Sequence, residues 1–204
     1  MKHLVLSLTA LLFTISTLQA QSKKELATLL SRDLEAYRKY TLALNFDSSL
    51  QYMPPKTYEI VPFDSLKATM LQAMNNKYMD VEMASFQFDP KRKPKIKKAG
   101  VYHWAIVPYT GSMRMVIKGE ASFKMMLVPV MTKQFGEKNV KMEDDSTMLI
   151  ALKNKNLIVF KDPASPIWFM IEDKRFAKGQ GSEAEKQFFN SVLPEEVLKA
   201  LGDQ

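Results

Sequence analysis

Apolar residues change their period along this chain from helical to strand-like and, near the end, back to helical, and that order limits the folds open to it. Leu26, Leu29, Leu30, Leu34 and Tyr37, then Leu66, Met70, Ala73 and Met74, recur at helical spacing. From Val81 onward the apolar runs are short, and they either alternate or stay apolar throughout, as strands do. Helices gathered ahead of a block of strands predict an α+β domain with an antiparallel sheet, not alternating parallel units.

Local signals add detail. Ser22 and Glu25 have capping-box spacing, and Tyr40, Ala43, Leu44 and Asp47 continue the first helical pattern until Pro54-Pro55 stops it near Met53. Residues 56–61 read as an extended link, and Asp64 as the N-cap of a second helix that Asn75-Asn76 closes. Strands are predicted over 81–88, 101–109, 113–117, 123–131, 148–152, 157–160 and 167–171. Turns are expected at 110–112, 119–120 and 135–139, with 153–156 as a hairpin loop. Ser182 and Glu185 repeat the capping spacing, and Pro194 opens a last helical turn carrying Val197, Leu198 and Leu201. Pro108 and Pro129 have no N–H to give a ladder, so they predict edges or bulges.

The 101–109 segment is apolar on both parities: Val101, Ala105 and Val107 on one, Trp104 and Ile106 on the other. A sheet with one wet face should alternate. Helices can cover one face; a partner subunit or the curled sheet can cover the other. A homodimer is the expectation that follows.

Residues 1–20 have the layout of a signal peptide: Lys2 and His3, a mostly apolar stretch over 4–12, then Ala20 before the cleavage point. The stretch is shorter than the about 20 residues needed to span a bilayer. The expectation is export to the periplasm or beyond, a single domain over 21–204, and no transmembrane segment after cleavage. With no cysteine, the chain cannot be a lipid-anchored lipoprotein, form disulfides or use a thiol. Cleavage would take one of the 29 basic residues, leaving 28 against 22 acidic and a net charge of +6. That balance argues for solubility rather than nucleic-acid binding. Of two histidines only His103 would remain, which excludes multi-histidine zinc sites. Seven glycines, with no GxSxG, Walker or dinucleotide fingerprint, leave no cofactor to expect.

The order of several motifs resembles the nuclear transport factor 2-like superfamily, also called the SnoaL-like or cystatin-like cone fold, and within it the exported members of unassigned activity. The resemblance rests on residues 40–47 leading to Tyr52-Met53-Pro54, then the 66–74 helix and Tyr102-His103-Trp104-Ala105-Ile106-Val107-Pro108-Tyr109. Phe135-Gly136-Glu137-Lys138-Asn139-Val140, the hairpin to Phe160, Ile167-Trp168-Phe169 and Leu193-Pro194 complete it. It implies N-terminal helices packed in a strongly curved, cone-shaped antiparallel sheet with a short C-terminal helix and a pocket at the open end. Some relatives are isomerases, dehydratases or hydrolases; others only bind. No catalytic set is carried over, and fold alone does not decide between them.

Candidate residues follow from chemistry. His103 is the one imidazole base left, and Asp47 a carboxylate in helical phase with Tyr40; both also read as structural residues. Tyr40, Tyr52, Tyr58 and Tyr102 offer phenols to a ligand, Trp104 and Trp168 offer stacking, and all six suit a core equally. Arg114, with Lys118 and Lys124, offers an anion site or a solvated sheet face. Lys91, Arg92, Lys93, Lys95, Lys97 and Lys98 form a basic loop. Fourteen methionines suit an adaptable apolar pocket or plain core filling. Glu143-Asp144-Asp145 lacks the ligand spacing of a calcium loop. The leading expectation is an exported, non-enzymatic domain that binds a small, largely apolar ligand or a protein partner. The alternatives are a small-molecule isomerase, dehydratase or hydrolase using Asp47 or His103, and a structural envelope protein acting through a dimer face.

Overall fold

A computed structural model describes residues 22–119, 121–173 and 183–202. The signal peptide expected over 1–20, the turn at Glu120 and the Ser182 cap lie outside the described residues.

Helix α1 (Lys23–Leu42) starts at the predicted capping box: Glu25 N–H donates to Ser22 Oγ at 3.2 Å, and Ser22 N–H to Glu25 Oε2 at 2.7 Å. Leu44, with φ 50°, breaks the helix. Asn45 then caps the short α2 (Phe46–Ser49) at Ser48 N–H, and a 3-10 turn (Leu50–Tyr52) follows. The predicted extended link is instead helix α3 (Lys56–Ile60). Pro54 and Pro55 begin its first turn, where a missing N–H costs nothing. Asp64 is not a cap; it sits in the first turn of α4 (Phe63–Met74), which starts after Pro62.

Six antiparallel strands make one open sheet: β1 (Met79–Phe88), β2 (Lys97–Ala99), β3 (Tyr102–Ile117), β4 (Val140–Met142), β5 (Thr147–Lys161) and β6 (Phe169–Glu172). The order is β1-β3-β5-β4, with β2 also on β3 and β6 also on β5. Two predicted breaks are absent. Residues 110–112 do not turn, and 153–156 are not a hairpin loop; β3 and β5 each run straight through. The sites are register shifts instead, between Met83 and Ser85 in β1 and at the Tyr109–Gly111 pairing with β5, where Asn154 has φ 54°. Pro108 stands inside β3, next to the second shift, rather than at a strand end. Its carbonyl accepts Asp89 N–H at 3.2 Å just past the end of β1. The side of β3 that lacks a donor there is therefore the side without a strand.

Residues 123–131 are not a strand. They belong to helix α5 (Ala121–Phe135), with Pro129 inside it. Phe123, Leu127, Met131 and Phe135 are four apart and pack on Val81, Met115, Met148 and Ile150. The helices therefore do not all precede the strands: α5 falls between β3 and β4, and two helices, α6 (Glu183–Val192) and α7 (Glu195–Gly202), close the described chain. None of the described helices is long and apolar enough to cross a membrane.

Both parities of β3 are covered by the chain itself over part of their length. Ala105, Val107 and Tyr109 join Leu26, Leu30 and Leu34 of α1 in one core. Trp104 joins Phe160, Phe189, Val192, Val197 and Leu201 in a second, under α6 and α7. The cover expected of a partner or of sheet curl is, at Trp104, the C-terminal helices. Val101 belongs to neither core; it is exposed in the turn before β3.

A cationic cleft beside Trp104 as the candidate site

The loop between β1 and β2 is shaped by Asp89. Its Oδ1 accepts Lys91 N–H at 2.9 Å, its carbonyl accepts Arg92 N–H at 3.2 Å, and its Oδ2 lies 3.5 Å from Arg92 Nε. The loop returns to the sheet where Lys97 pairs with Trp104 in register. Lys97 Nζ stands 5.1 Å from the centroid of the Trp104 ring, a cation–π contact.

Between this loop and β3 is a cleft of about 550 Å³. Lys91, Arg92, Lys93, Lys95 and Lys97 supply its charge, and Trp104, Ile106 and Pro108 its apolar floor. Among the described residues Lys91, Lys93 and Lys95 form no ion pair. Trp104 is 2 % exposed, and its indole N–H has no acceptor among the described residues. A second cleft of about 360 Å³ adjoins at Arg92, Pro108 and Asn156, and adds Gln87, Thr110 and Asn154. Five like charges over an apolar floor attract an anion that carries an apolar body.

The other candidates lie elsewhere. Asp47 is at the surface, bonded to Lys67 Nζ at 2.6 Å. His103 is half-buried opposite Lys98 and Lys161; burial first, then these two cations, hold its pKa below the usual imidazole value. Tyr40 and Tyr52 pack together, 6.4 Å apart, on the α1 core. Tyr58 donates to the Leu50 carbonyl, and burial pushes its pKa up to about 12. Tyr102 packs edge-on to Phe160, 6.2 Å away. Trp168 is fully buried in the α1 core. Arg114 bridges Glu143 at 3.0 Å and Glu82 at 2.9 Å, Lys118 bonds Asp80, and Lys124 the Asp145 carbonyl. These three cations are engaged one by one. Of the methionines, Met115, Met148 and Met170 are core, whereas Met125 and Met126 face solvent.

No family model, curated protein or solved structure matches this chain. Sequence reasoning found the basic loop and Trp104 but not Ile106, Pro108 and Asn156 as the cleft's other walls. Register alone brings those to the loop, since Pro108 pairs with Asn156 and Ile106 with Ile158.

Proposed function

We propose that this protein is an exported, non-enzymatic binding domain whose ligand is a small amphipathic acid. The observation that carries the proposal is the pairing, in one cleft, of unpaired lysines with the apolar floor of Trp104, Ile106 and Pro108. Its size is within the about 300–1,000 Å³ of small-molecule pockets. The ligand's carboxylate or phosphate meets Lys91, Lys93 and Lys95, and its chain lies on Ile106 and Pro108. Binding is favoured over catalysis because Asp47 is held in a surface ion pair and His103 faces two lysines. The cone reading of the sheet draws support from the neighbouring irregularities in β1, β3 and β5, since bulges bend strands.

Laurate tests the proposal, with dodecyltrimethylammonium as the cation of equal chain length. Titration should quench Trp104 with laurate and far less with the cation. Lys93→Ala/Lys95→Ala should weaken laurate by about 3- to 10-fold, the sum of two exposed ion pairs. Equal affinity for both amphiphiles, or no effect of the double substitution, rules the acid-binding cleft out. The intact mass of protein recovered from its own host tests cleavage after Ala20.

A further inference from the structure

The outer face of α5 is apolar where a solvated helix should be polar. Met125 is 77 % exposed, Met126 60 % and Val130 50 %. With Pro129 they occupy positions i, i+1, i+4 and i+5, one stripe along the helix. The opposite stripe, Phe123, Leu127 and Met131, packs on the sheet, so the helix is apolar on both sides. Exposed apolar residues scattered singly are ordinary; a contiguous group is a contact surface.

Phe123 stacks on Tyr78 at 5.1 Å, Tyr78 is 45 % exposed, and Lys77 Nζ lies 4.7 Å from its ring centroid. The charges of α5 are Lys124 and Lys133, with no acidic residue between Ala121 and Phe135. The acids nearby are already engaged: Asp145 by Lys124, and Asp80 by Lys118. Among the described residues Lys133 has no ion-pair partner. Exposed apolar side chains on a helix whose only charges are lysines suit the surface of an anionic bilayer. A second copy of the chain fits less well. The exposed parts of Met125, Met126 and Val130 are a small fraction of the about 800 Å² per partner of a standard interface.

We infer that α5 is a membrane-contact helix, seating Met125, Met126 and Val130 in the interface of an anionic bilayer while Lys133 and Lys77 meet its headgroups. The site is separate from the cleft beside Trp104 and stands or falls independently of it.

The test is co-sedimentation of the full chain with vesicles of phosphatidylglycerol and phosphatidylethanolamine, and with phosphatidylcholine alone. The anionic vesicles should take up the protein at least 10-fold better. Met125→Glu/Met126→Glu should lose at least 10-fold of that binding, at unchanged thermal midpoint because both side chains face water. Met126→Trp adds a direct readout: the emission of the introduced indole should shift to the blue with anionic vesicles. Failure of the wild type to sediment overturns the inference, as does equal binding by the double variant or an unshifted emission from the M126W protein. So does dimerisation that M125E/M126E abolishes, which would make the occupant a second copy. A loss confined to Lys93→Ala/Lys95→Ala would move lipid contact to the basic loop and equally overturn it.

Discussion

The carboxylate of Asp33 on α1 accepts the backbone N–H of Trp168, 135 residues away, at 2.9 Å. Asp33 is 1 % exposed, and its other oxygen takes Arg32 Nε at 2.8 Å. One buried acid thus ties the first helix to the start of β6. Trp168 follows the loop that Lys161 holds by donating to the carbonyls of Asp162 and Ser165. Asp33→Ala leaves a buried N–H unpaired, which costs about 1–3 kcal/mol. Urea unfolding should show that loss. Arg32→Ala is the contrast: the Arg32 side chain is 56 % exposed but that of Asp33 only 2 %, so the change keeps the Trp168 bond yet strands a buried carboxylate, and should also cost at least about 1 kcal/mol. No loss from Asp33→Ala would mean that the Trp168 bond does not matter.

Stability should also fall on mild acidification, through His103. Its pKa in the folded protein is below the model-peptide value of 6.5, through burial and then Lys98 and Lys161. Above about pH 7 the ring is neutral in both states and contributes no slope. As the pH drops through 6.5, the unfolded chain takes up a proton that the native state resists. Stability is therefore lost with falling pH until the native ring also protonates. Denaturation midpoints between about pH 7 and 5 should decline, and His103→Gln should flatten most of that decline. An unchanged slope in the variant removes His103 from the account.

Much of the helical frame was legible, because its signals are local. Ser22 and Glu25 cap α1 as their spacing predicts, and Pro194 precedes α7. The strands were misread where tertiary structure overrides local signals. Ile150 and Leu152 have even numbers, Leu157 and Val159 odd ones; two separate strands explain that switch as well as one bulge does. The extra residue near Asn154 resets the parity, so a single β5 keeps all four on a packed face. In α5 the outward Met125, Met126 and Val130 filled the gaps between Phe123, Leu127 and Met131, hiding the helical period. The site was half visible for the same reason. Six basic residues in a row of eight announce a loop, but nothing local joins Lys93 to Ile106 or Asn156.

Gly111 shows how a turn signal and a sheet requirement look alike in sequence. It pairs with Phe86 on one side and Leu152 on the other, in mid-sheet. A Cβ built there would lie 2.7 Å from the Ser85 carbonyl oxygen, inside any real contact. Ser85 is the residue after the β1 irregularity, and its hydroxyl meets that of Ser112 at 2.7 Å. The glycine thus lets β1 press against β3 at the bend, and relief would require moving backbone. Gly111→Ala should cost about 1–3 kcal/mol, as overpacking does. Gly202, at the end of α7, has nothing within 4 Å of the corresponding Cβ. Gly202→Ala should therefore stay within about 0.5 kcal/mol of the parent. The comparison is read from urea midpoints at constant slope; an equally mild G111A would mean that β1 can slide away from Gly111 without loss.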